Sequence, residues 1–355
     1  MKVLLVAGVG DYPEVALFRG LKQAGVESDL LCKSDSRYFD GLASDGFPMV
    51  HLRNAGKIDF PDIRTIRAAL RGKKYDIIHA FNSRALSNAL LASIGFDAVR
   101  VGYCGTQGHL KSWDPGAWLA QLNPRLDGIS CASAAVRDYL AGIGIEPQKL
   151  FVIYKGHDPV WYPKSPASDF AACGIPQGAF VVGCAANMRP VKGVDVLVRA
   201  AACLPTDGRI HYLLMGTPQD NEVNRLAQDS RLKPLIHFTG ARSDAPNLIG
   251  HCSLAVVPSR NEGLPKAALE AMAHGLPVVA SAVGGLVEVV TPETGRLVPP
   301  DDPMALAEAI QFCVDHPDAC RLMGAAGQAR LAEVFHIHET IRKTIHMYET
   351  LLAAK

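Results

Sequence analysis

The chain has 355 residues, of which 48% are hydrophobic and 20% are charged, and its formal net charge at pH 7 is +1. One hydrophobic core rarely supports such a length, so we expect two domains of about 150–200 residues each. The composition excludes a disordered chain, and the balanced charge gives no support for a nucleic-acid-binding protein.

Short apolar segments alternate with amphipathic segments through the first half, which is typical of βα units around a parallel sheet. A further amphipathic segment places Arg64, Arg67 and Arg71 on one helical face. This face is either solvated or a surface that contacts anionic lipid headgroups. Strands are predicted at 3–7, 28–32, 49–52, 77–80, 99–103, 128–132 and 150–153, with helices between them, for example at 14–24, 83–94 and 134–141.

A change in composition separates the two halves, because residues 158–166 contain three prolines, which indicates a linker. The pattern predicts two doubly wound α/β domains joined near residue 160, with ligands bound where the carboxyl ends of the strands face a cleft. Strands of the second half are predicted at 180–185, 210–215, 236–239, 254–258, 277–281 and 295–298. Its helices are predicted at 194–203, 222–228, 246–249, 266–273 and 303–316, followed by an amphipathic helix over roughly 333–351.

The cysteines and the apolar segments indicate the cellular compartment. Nine cysteines are scattered without a C-x-x-C pair, which favours buried thiols in a reducing compartment over a disulfide framework. The first strand reaches Asp11 too soon for a signal peptide, and no apolar stretch of about 18 residues is present. We therefore expect a cytoplasmic protein. Peripheral contact with the inner face of the membrane is a hypothesis that depends on the arginine face.

The segment 258–275 carries the most chemical information. An apolar strand ends at Val257, a polar turn follows, and Pro265 suits the first position of a helix that Gly275 would cap at its carboxyl end. Such a turn presents free backbone N–H groups and the positive end of the helix dipole. It therefore predicts a site for a diphosphate.

Two glutamates of this segment are candidates for binding hydroxyl groups. Glu262, in the turn, can accept hydrogen bonds from a sugar. Glu270, two turns into the helix, can bond a second polyol such as a ribose. The alternative is that Glu262 only places a favourable charge at a helix start and that Glu270 lies on the surface.

This segment resembles the E-x7-E motif of retaining glycosyltransferases of the GT-B fold, particularly family 4. The resemblance rests on Glu262-Gly263-Leu264-Pro265 and on the segments 275–280, 284–285 and 295–302. It covers residues 180–330 and is weaker over the first 150 residues. The family implies a GT-B architecture, in which two Rossmann-like, doubly wound parallel-sheet domains face each other across a cleft.

The resemblance also implies a division of labour along the chain. Residues 1–160 would bind the acceptor, residues 161–335 would bind the nucleotide-sugar donor, and residues 336–355 would form a helix that crosses back to the first domain. The implied function is a retaining hexosyltransferase that uses a UDP-sugar, with GDP as the alternative nucleotide. The acceptor would be a glycan, a lipid-linked glycan, a lipopolysaccharide core or a small molecule. A nucleotide-sugar epimerase and a non-catalytic nucleotide-sugar-binding protein are the alternative functions.

The family motifs identify individual residues of the donor domain. Glu262 would contact the donor sugar in catalysis, and Glu270 would hold the ribose. Arg189 and Lys192 match the basic pair that holds the diphosphate, whose negative charge builds up as the sugar–phosphate bond breaks. The residues assigned to donor binding are Gly263, Leu264, Glu270, Arg189 and Lys192.

Two loops of the first domain hold further candidates. Gly10 follows the first strand, but Pro13 stands where a dinucleotide-binding fingerprint needs its third glycine. The resemblance places Gly10 near the donor phosphate and the acceptor, although the double glycine followed by Glu that is common in the family is missing. His109 resembles in position the family's active-site histidine, which bonds the donor sugar. An ordinary loop histidine is the alternative, and His79, at a strand end, is a second candidate.

No metal ion or cofactor is expected, because the chain has no D-x-D motif for a donor-bridging ion and the nucleotide sugar is a substrate. His336 and His338 would point apart on a helix, so they predict a packing helix and not a metal site. Trp113, Trp118 and Trp161 are each expected to pack in the core or the linker in preference to stacking on a sugar ring.

Overall fold

The computed structural model describes residues 1–108, 110–163, 170, 173–219 and 221–355. These residues form two compact units, the first made of Met1–Gly156 with Ile337–Lys355 and the second of His157–His336. Part of the predicted linker at 158–166 lies outside the described residues. Each unit is built on its own parallel sheet.

The first unit is built on seven parallel strands: β1 (Lys2–Ala7), β2 (Glu27–Cys32), β3 (Met49–His51), β4 (Ile77–Ala80), β5 (Val99–Cys104), β6 (Gly128–Cys131) and β7 (Leu150–Val152). Their order in the sheet is β3-β2-β1-β4-β5-β6-β7. Each strand predicted for this half is confirmed, with ends that differ by at most one residue. The prediction succeeded because parallel strands covered on both faces are short, continuous apolar runs.

The helices of this unit start at side chains that cap them. Asp11, Asn82 and Ser133 each accept a hydrogen bond from a backbone N–H three residues further on. Strand residues and the apolar faces of three helices, α3, α4 and α6, share one buried cluster. The helices are α1 (Tyr12–Gln23), α2 (Phe39–Ser44), α3 (Phe60–Gly72), α4 (Ser83–Ala92), α5 (Pro115–Trp118) and α6 (Ala134–Gly142).

The second unit is built on six parallel strands: β8 (Phe180–Ala185), β9 (Ile210–Met215), β10 (Ile236–Gly240), β11 (Leu254–Val257), β12 (Val278–Ser281) and β13 (Gly295–Val298). Their order is β10-β9-β8-β11-β12-β13, and all six match the prediction within one residue. The helices are α7 (Val194–Ala202), α8 (Asn221–Leu226), α9 (Ala245–Leu248), α10 (Lys266–Ala273), α11 (Leu286–Val289), α12 (Pro303–Asp315) and α13 (Pro317–Val334).

Helix α13 was not predicted, and its packing explains why. Its buried positions are Cys320, Gly324, Gly327 and Leu331, which include two glycines and form a weak apolar stripe. The small residues let the helix lie directly on a neighbouring backbone, since a Cβ at Gly324 would collide with the carbonyl of Gly275. Close backbone approach, rather than a large apolar face, holds this helix in place.

The last helix, α14 (Ile337–Ala353), begins four residues later than predicted. The chain leaves the preceding helix at Phe335, and His336 forms an isolated bridge with His157. Helix α14 belongs to the first unit, where Thr340 Oγ1 donates to the Tyr154 carbonyl at 2.8 Å and accepts from the Gly156 N–H at 2.9 Å.

The predicted arginine face on α3 is not uniformly solvated. Arg67 Nη1 donates to the carbonyls of Ala92 at 2.9 Å and Ile94 at 3.0 Å, and its guanidinium lies over the Phe96 ring. Arg67 is therefore not a freely solvated member of this face, because it holds α3 against the end of α4. None of the helices in the described ranges combines the length and apolar character that crossing a bilayer requires.

Candidate functional site

The segment 258–275 forms a loop and a helix directly after a strand, as predicted. Strand β11 ends at Val257 and α10 begins at Lys266. Pro265 precedes the helix with extended dihedrals of φ −81° and ψ 98°, so its predicted place at the first helical position is wrong by one residue. Gly275 is confirmed as the glycine that ends the helix, because its φ of +71° lies in the left-handed region.

Two glycines from other loops allow the loop at 258–265 to be closely packed. Gly193, just before α7, has a φ of +62°, and a Cβ there would collide with the carbonyl of Pro258. A Cβ at Gly285, just before α11, would collide with the carbonyl of Gly263. The loop is therefore enclosed by backbone on two sides, which fixes the position of Glu262.

Glu262 and Lys192 form an ion pair at the centre of this arrangement. Lys192 Nζ lies 2.6 Å from Glu262 Oε1, and Ser259 Oγ donates to the same oxygen at 2.8 Å. Both side chains of the ion pair are mostly buried. The structure thus brings together two predicted site residues that are 70 positions apart in the chain.

A cavity of about 370 Å³ opens beside the ion pair. This volume falls in the range of pockets that bind small molecules, about 300–1,000 Å³. Glu270 and Leu264 line the cavity, whereas Gly263 is buried and is not part of the lining, and the donor contacts predicted for all three stay predictions. The polar side chains of the lining belong to Asn187, Lys192, Ser259, Glu262, Lys266 and Glu270.

The two residues of the predicted basic pair, Arg189 and Lys192, differ in their position relative to the cavity. Lys192 lines the cavity, whereas Arg189 is exposed and does not belong to the lining. The Nε of Arg189 makes a long hydrogen bond of 3.4 Å to Asn187 Oδ1. A contact between Arg189 and a diphosphate therefore stays a prediction, while Lys192 already faces the cavity.

Sequence reasoning missed Lys266 and Ser259. Lys266 is the first residue of α10, where its ammonium adds positive charge beside the amino end of the helix dipole. Ser259 is buried and orients the Glu262 carboxylate. Both residues lie within the segment 258–275. Their polar side chains beside the predicted turn could therefore have indicated that they line the site.

Arg260 was also missed, and it connects three segments of the second unit. Its guanidinium donates to the two carboxylate oxygens of Asp195 at 2.8 Å each and to Asp301 Oδ1 at 2.6 Å. It also donates to the carbonyl of Pro190, and its own backbone N–H donates to the Val191 carbonyl at 2.8 Å. Arg260 therefore ties the loop of Glu262 to the loop of Lys192.

The Arg260–Asp195 contact shifts the pKa values of both groups. Burial alone would raise the pKa of Asp195, but the hydrogen bonds and positive charge of Arg260 outweigh it, so this pKa falls below its usual value. The hydrogen bonds to Asp195 raise the pKa of Arg260. Both groups stay charged throughout the neutral range.

In the first unit, the loop around Gly10 is occupied by its own polar groups. The Gly10 N–H donates to Glu14 Oε2 at 3.0 Å. Lys155 Nζ lies 2.9 Å from Asp11 and 3.1 Å from Glu14, so two carboxylates surround one ammonium. This loop holds no excess of positive charge, and a role for Gly10 at the donor phosphate stays a prediction.

The histidine candidates have different outcomes. His109 lies outside the described residues. His79 is only 1% exposed, stacks on Phe81 and bonds the Tyr348 hydroxyl through Nδ1 at 2.7 Å. Burial lowers the pKa of His79 to about 3, so the ring is neutral near pH 7. Its proposal as a sugar ligand is wrong, because the ring belongs to the core.

The described residues contain no group of three or more His, Cys, Asp or Glu side chains arranged to hold a metal ion. His336 precedes α14 and lies 3.7 Å from Asp158, while His338 is inside the helix.

The expectation that the tryptophans pack in the core or linker is wrong for Trp113 and Trp118, which are 74% and 51% exposed.

Two family models match separate parts of the chain. The model described as "Glycosyl transferases group 1" matches residues 179–316, which include the cavity and its ion pair. The model described as "Glycosyltransferase Family 4" matches residues 15–161, which are nearly all in the first unit. Together the two matches cover most of the chain.

Several curated proteins are similar in sequence. The "MMP alpha-(1->4)-mannosyltransferase" of Mycolicibacterium hassiacum is 30% identical over 66% of this chain and 56% of its own length. The "D-inositol 3-phosphate glycosyltransferase" of a Nocardioides species is 32% identical over 57% of this chain and 49% of its own length. The "Lipopolysaccharide core biosynthesis mannosyltransferase LpsB" of Rhizobium meliloti is 31% identical over 51% of this chain and 54% of its own length. The chain thus spans about half the length of the curated relatives it matches.

Solved structures match along nearly the whole chain. Anabaena Alr3699/HepE in complex with UDP has a TM-score of 0.84 at 23% identity, over 99% of this chain and 100% of that one. A glycosyltransferase from Rickettsia africae has a TM-score of 0.85 at 20% identity, over 100% of this chain and 99% of that one. With the two parallel sheets, these similarities confirm the predicted GT-B fold.

We predict that Arg260→Lys loosens the loop that carries Glu262. Lysine cannot make the two-pronged contact with Asp195, so the second unit should lose about 1.5–3 kcal/mol of unfolding free energy at pH 7. Urea denaturation followed by circular dichroism measures this loss. Arg231→Lys is the matched control, because Arg231 is exposed and pairs only locally with Asp229.

The stabilisation also has a defined pH dependence. The pKa of Asp195 is lower in the folded state than in the unfolded chain. The ionised carboxylate therefore contributes its full stabilisation of the folded protein above the unfolded-state pKa of about 3.9, and this stabilisation is lost as the pH falls through the folded-state pKa. The two variants should thus differ most near neutral pH and converge in acid. Equal stability of both variants at pH 7 would contradict the assigned role of Arg260.

Proposed function

Because this chain belongs to the group 1, family 4 glycosyltransferases, we propose that it transfers a hexose from a UDP-sugar to a hydroxyl group of a glycan or lipid-linked acceptor, with retention of configuration. The observation that carries the proposal is the Lys192–Glu262 ion pair beside a cavity that Glu270 also lines. UDP is favoured because structural neighbours are described in complex with UDP and with UDP-glucose. A glycan acceptor is favoured because a relative is described as a lipopolysaccharide core mannosyltransferase.

In this proposal the diphosphate binds beside Lys192 and the amino end of α10. The ammonium of Lys192 supplies a full charge, and Lys266 and the first turn of the helix add to the positive potential. Glu270, within the same helix, accepts hydrogen bonds from the ribose hydroxyls. The distance along one helix between its first turn and Glu270 suits the successive groups of one nucleotide.

Glu262 acts on the transferred sugar. Its carboxylate accepts hydrogen bonds from sugar hydroxyls and so orients the anomeric carbon. In the unliganded protein the same carboxylate is neutralised by Lys192. When the donor binds, Lys192 is shared between the Glu262 carboxylate and the diphosphate. The weakening of its contact with Glu262 offsets part of the free energy gained from the phosphate contact.

The chemical step breaks the bond between the anomeric carbon and the diphosphate oxygen. The electron pair of that bond leaves with the UDP, and Lys192 stabilises the charge as it develops. The acceptor hydroxyl oxygen forms the new bond on the same face of the sugar, and its proton passes to a departing phosphate oxygen. Configuration is retained, and no dedicated protein base takes part.

We also propose that residues 1–160 bind the acceptor and that the reaction takes place on the cytoplasmic side of a membrane. All nine cysteines are free thiols, which suits a reducing compartment. Peripheral contact with anionic lipid would depend on Arg64 and Arg71, which are exposed on α3. No metal ion or cofactor is invoked, since lysines supply the positive charge. The epimerase and the non-catalytic binding protein are not favoured by any feature of the described site.

We predict that Lys192→Ala abolishes most of the binding of UDP. In the unaltered protein, UDP at about 100 times its Kd should add about 2.7 kcal/mol to stability, which appears as a clear rise in Tm. Lys192→Ala should lose most of this rise, because the proposed diphosphate loses its direct ammonium partner and, of the cations in the described lining, only Lys266 remains. Arg189→Ala should lose less of it than Lys192→Ala does, since the Arg189 side chain lies outside the lining.

Differential scanning fluorimetry with UDP and GDP in parallel measures the effect, and it also tests the choice of nucleotide. Lys233→Ala, at an exposed lysine of the same unit, is the matched control. An undiminished UDP shift in Lys192→Ala would show that the diphosphate does not bind there.

Glu262→Gln is predicted to separate binding from turnover. The amide keeps the size of the side chain but no longer holds Lys192 by charge, so the Kd for UDP should stay the same or fall. The turnover number should fall by about 10²–10³, because the sugar loses an oriented carboxylate. Calorimetric titration with UDP and release of UDP from UDP-hexose provide the two quantities. Glu308→Gln, on the exposed side of α12, should change neither. Parallel losses of affinity and turnover would contradict the role of Glu262.

A further inference from the structure

Two cysteine thiols meet where the chain bends between α12 and α13. Cys313 lies in the last turn of α12 and Cys320 in the first turn of α13, with His316 at the bend. The Cys320 thiol donates to the Cys313 carbonyl at 3.5 Å, and the Cys313 thiol donates to the Cys320 sulfur. Neither cysteine lines the cavity beside Lys192. The pair is therefore a cluster of reactive groups separate from the candidate site.

The contact between the two thiols meets the first requirement of a disulfide. A disulfide forms without backbone movement only where two cysteines bring their side chains together. The hydrogen bond between the thiols shows that Cys313 and Cys320 already do so. Both residues are buried, Cys313 with 0% and Cys320 with 7% of its surface exposed. An oxidant therefore reaches the pair from the side of Cys320.

The two thiols differ in acidity. The hydrogen bond from Cys313 lowers the pKa of Cys320 and outweighs burial, which would raise it. The same hydrogen bond, together with burial, raises the pKa of Cys313. Burial raises the pKa of other enclosed thiols, for example Cys131 and Cys184, each to about 12. Cys320 also lies near the amino end of α13, where the helix dipole favours an anion, so it is the better nucleophile.

We propose that Cys313 and Cys320 form an oxidation site, at which hydrogen peroxide converts the two thiols into a disulfide that a dithiol reductant reopens. A nucleophilic thiol beside a second, resolving thiol is the arrangement found in cysteines that sense oxidants. Disulfides of this kind are transient in a reducing compartment. The pair is thus reduced under ordinary conditions and becomes oxidised when peroxide accumulates.

The reaction takes place in two steps. The Cys320 thiolate attacks one oxygen of the peroxide, and the O–O bond breaks. The other oxygen leaves as water with the thiol proton, and Cys320 becomes a sulfenic acid. The Cys313 sulfur then attacks the Cys320 sulfur, the S–O bond breaks, and the sulfenic hydroxyl leaves as water with the Cys313 proton. Two electrons pass from the sulfur atoms to the peroxide, so the products are one disulfide and two water molecules.

The disulfide fixes the helix that supports α10. Helix α13 lies directly on α10 and its end, because a Cβ at Gly324 would collide with the Gly275 carbonyl and one at Gly327 would lie 3.2 Å from the Met272 side chain. A cross-link at the start of α13 also restricts the unfolded chain. The second unit of the oxidised protein should therefore melt about 5 °C higher than that of the reduced protein.

Peptide mapping of the full chain after mild peroxide treatment tests this proposal. The remaining thiols are alkylated, and the protein is cleaved with trypsin without reduction. Residues 297–321 form one tryptic peptide with both cysteines, since Arg296 and Arg321 are the cleavage sites on either side. The disulfide therefore appears as the loss of two hydrogen atoms from this peptide. We expect this loss in most of the protein, together with the rise in Tm, and dithiothreitol should reverse both.

Two variants make the test specific. Cys313→Ala lacks the resolving thiol, so its Cys320 should stop at the sulfenic acid, which dimedone traps, and the rise in Tm should disappear. Cys203→Ala is the matched control, because Cys203 is exposed and lies outside the pair. This control should form the disulfide as the unaltered protein does. The mapping of the unaltered chain needs no variant, so it decides the question even if Cys313→Ala does not fold.

The proposal is overturned if the peptide 297–321 still carries two alkyl groups under conditions that oxidise the exposed Cys203. It is also overturned if this peptide gains oxygen atoms without losing two hydrogen atoms, because the thiols would then be oxidised separately. A disulfide that forms equally well in Cys313→Ala, through another cysteine, would contradict the assigned pairing.

Discussion

The 2.6 Å ion pair between Lys192 and Glu262 joins two loops that are 70 residues apart, and the geometry of the candidate site depends on it. Each residue alone would be a charged side chain at a helix start. Together they place a cation and a carboxylate at the edge of one cavity, which are the opposite contacts that the proposed diphosphate and sugar need. In the proposed reaction, the pair also orients the Glu262 carboxylate before the sugar binds.

The surrounding structure keeps this pair in position without contributing to the lining. Arg260 connects the two loops through Asp195 and the Pro190 carbonyl. Gly193 and Gly285 let neighbouring backbone approach so closely that larger residues cannot replace them. Rigid support of this kind is what a site needs if its charges are to stabilise a transition state without first reorganising.

Much of the fold follows from the sequence, because the strands of both parallel sheets are short apolar runs separated by amphipathic segments. Helix α13 was missed because its buried face consists largely of glycine and cysteine, so packing by backbone approach left no periodic signal. The E-x7-E segment identified the cavity, but not which of Arg189 and Lys192 faces it. They are three positions apart, and the turn between them decides the direction of each side chain. The network of Arg260 could not be predicted, because its partners come from segments that only the folded unit brings together.

The central claim is retaining transfer of a hexose from a UDP-sugar, and the anomeric configuration of the first product tests it most directly. The protein would be incubated with UDP-glucose, UDP-galactose or GDP-mannose and a pool of methyl glycoside acceptors, and the anomeric protons would be followed by NMR. We expect release of UDP from one donor together with an α-linked product, because these donors are α-linked and configuration is retained. A β-linked product would contradict retention. The absence of nucleotide release from every donor would contradict the proposed transfer itself.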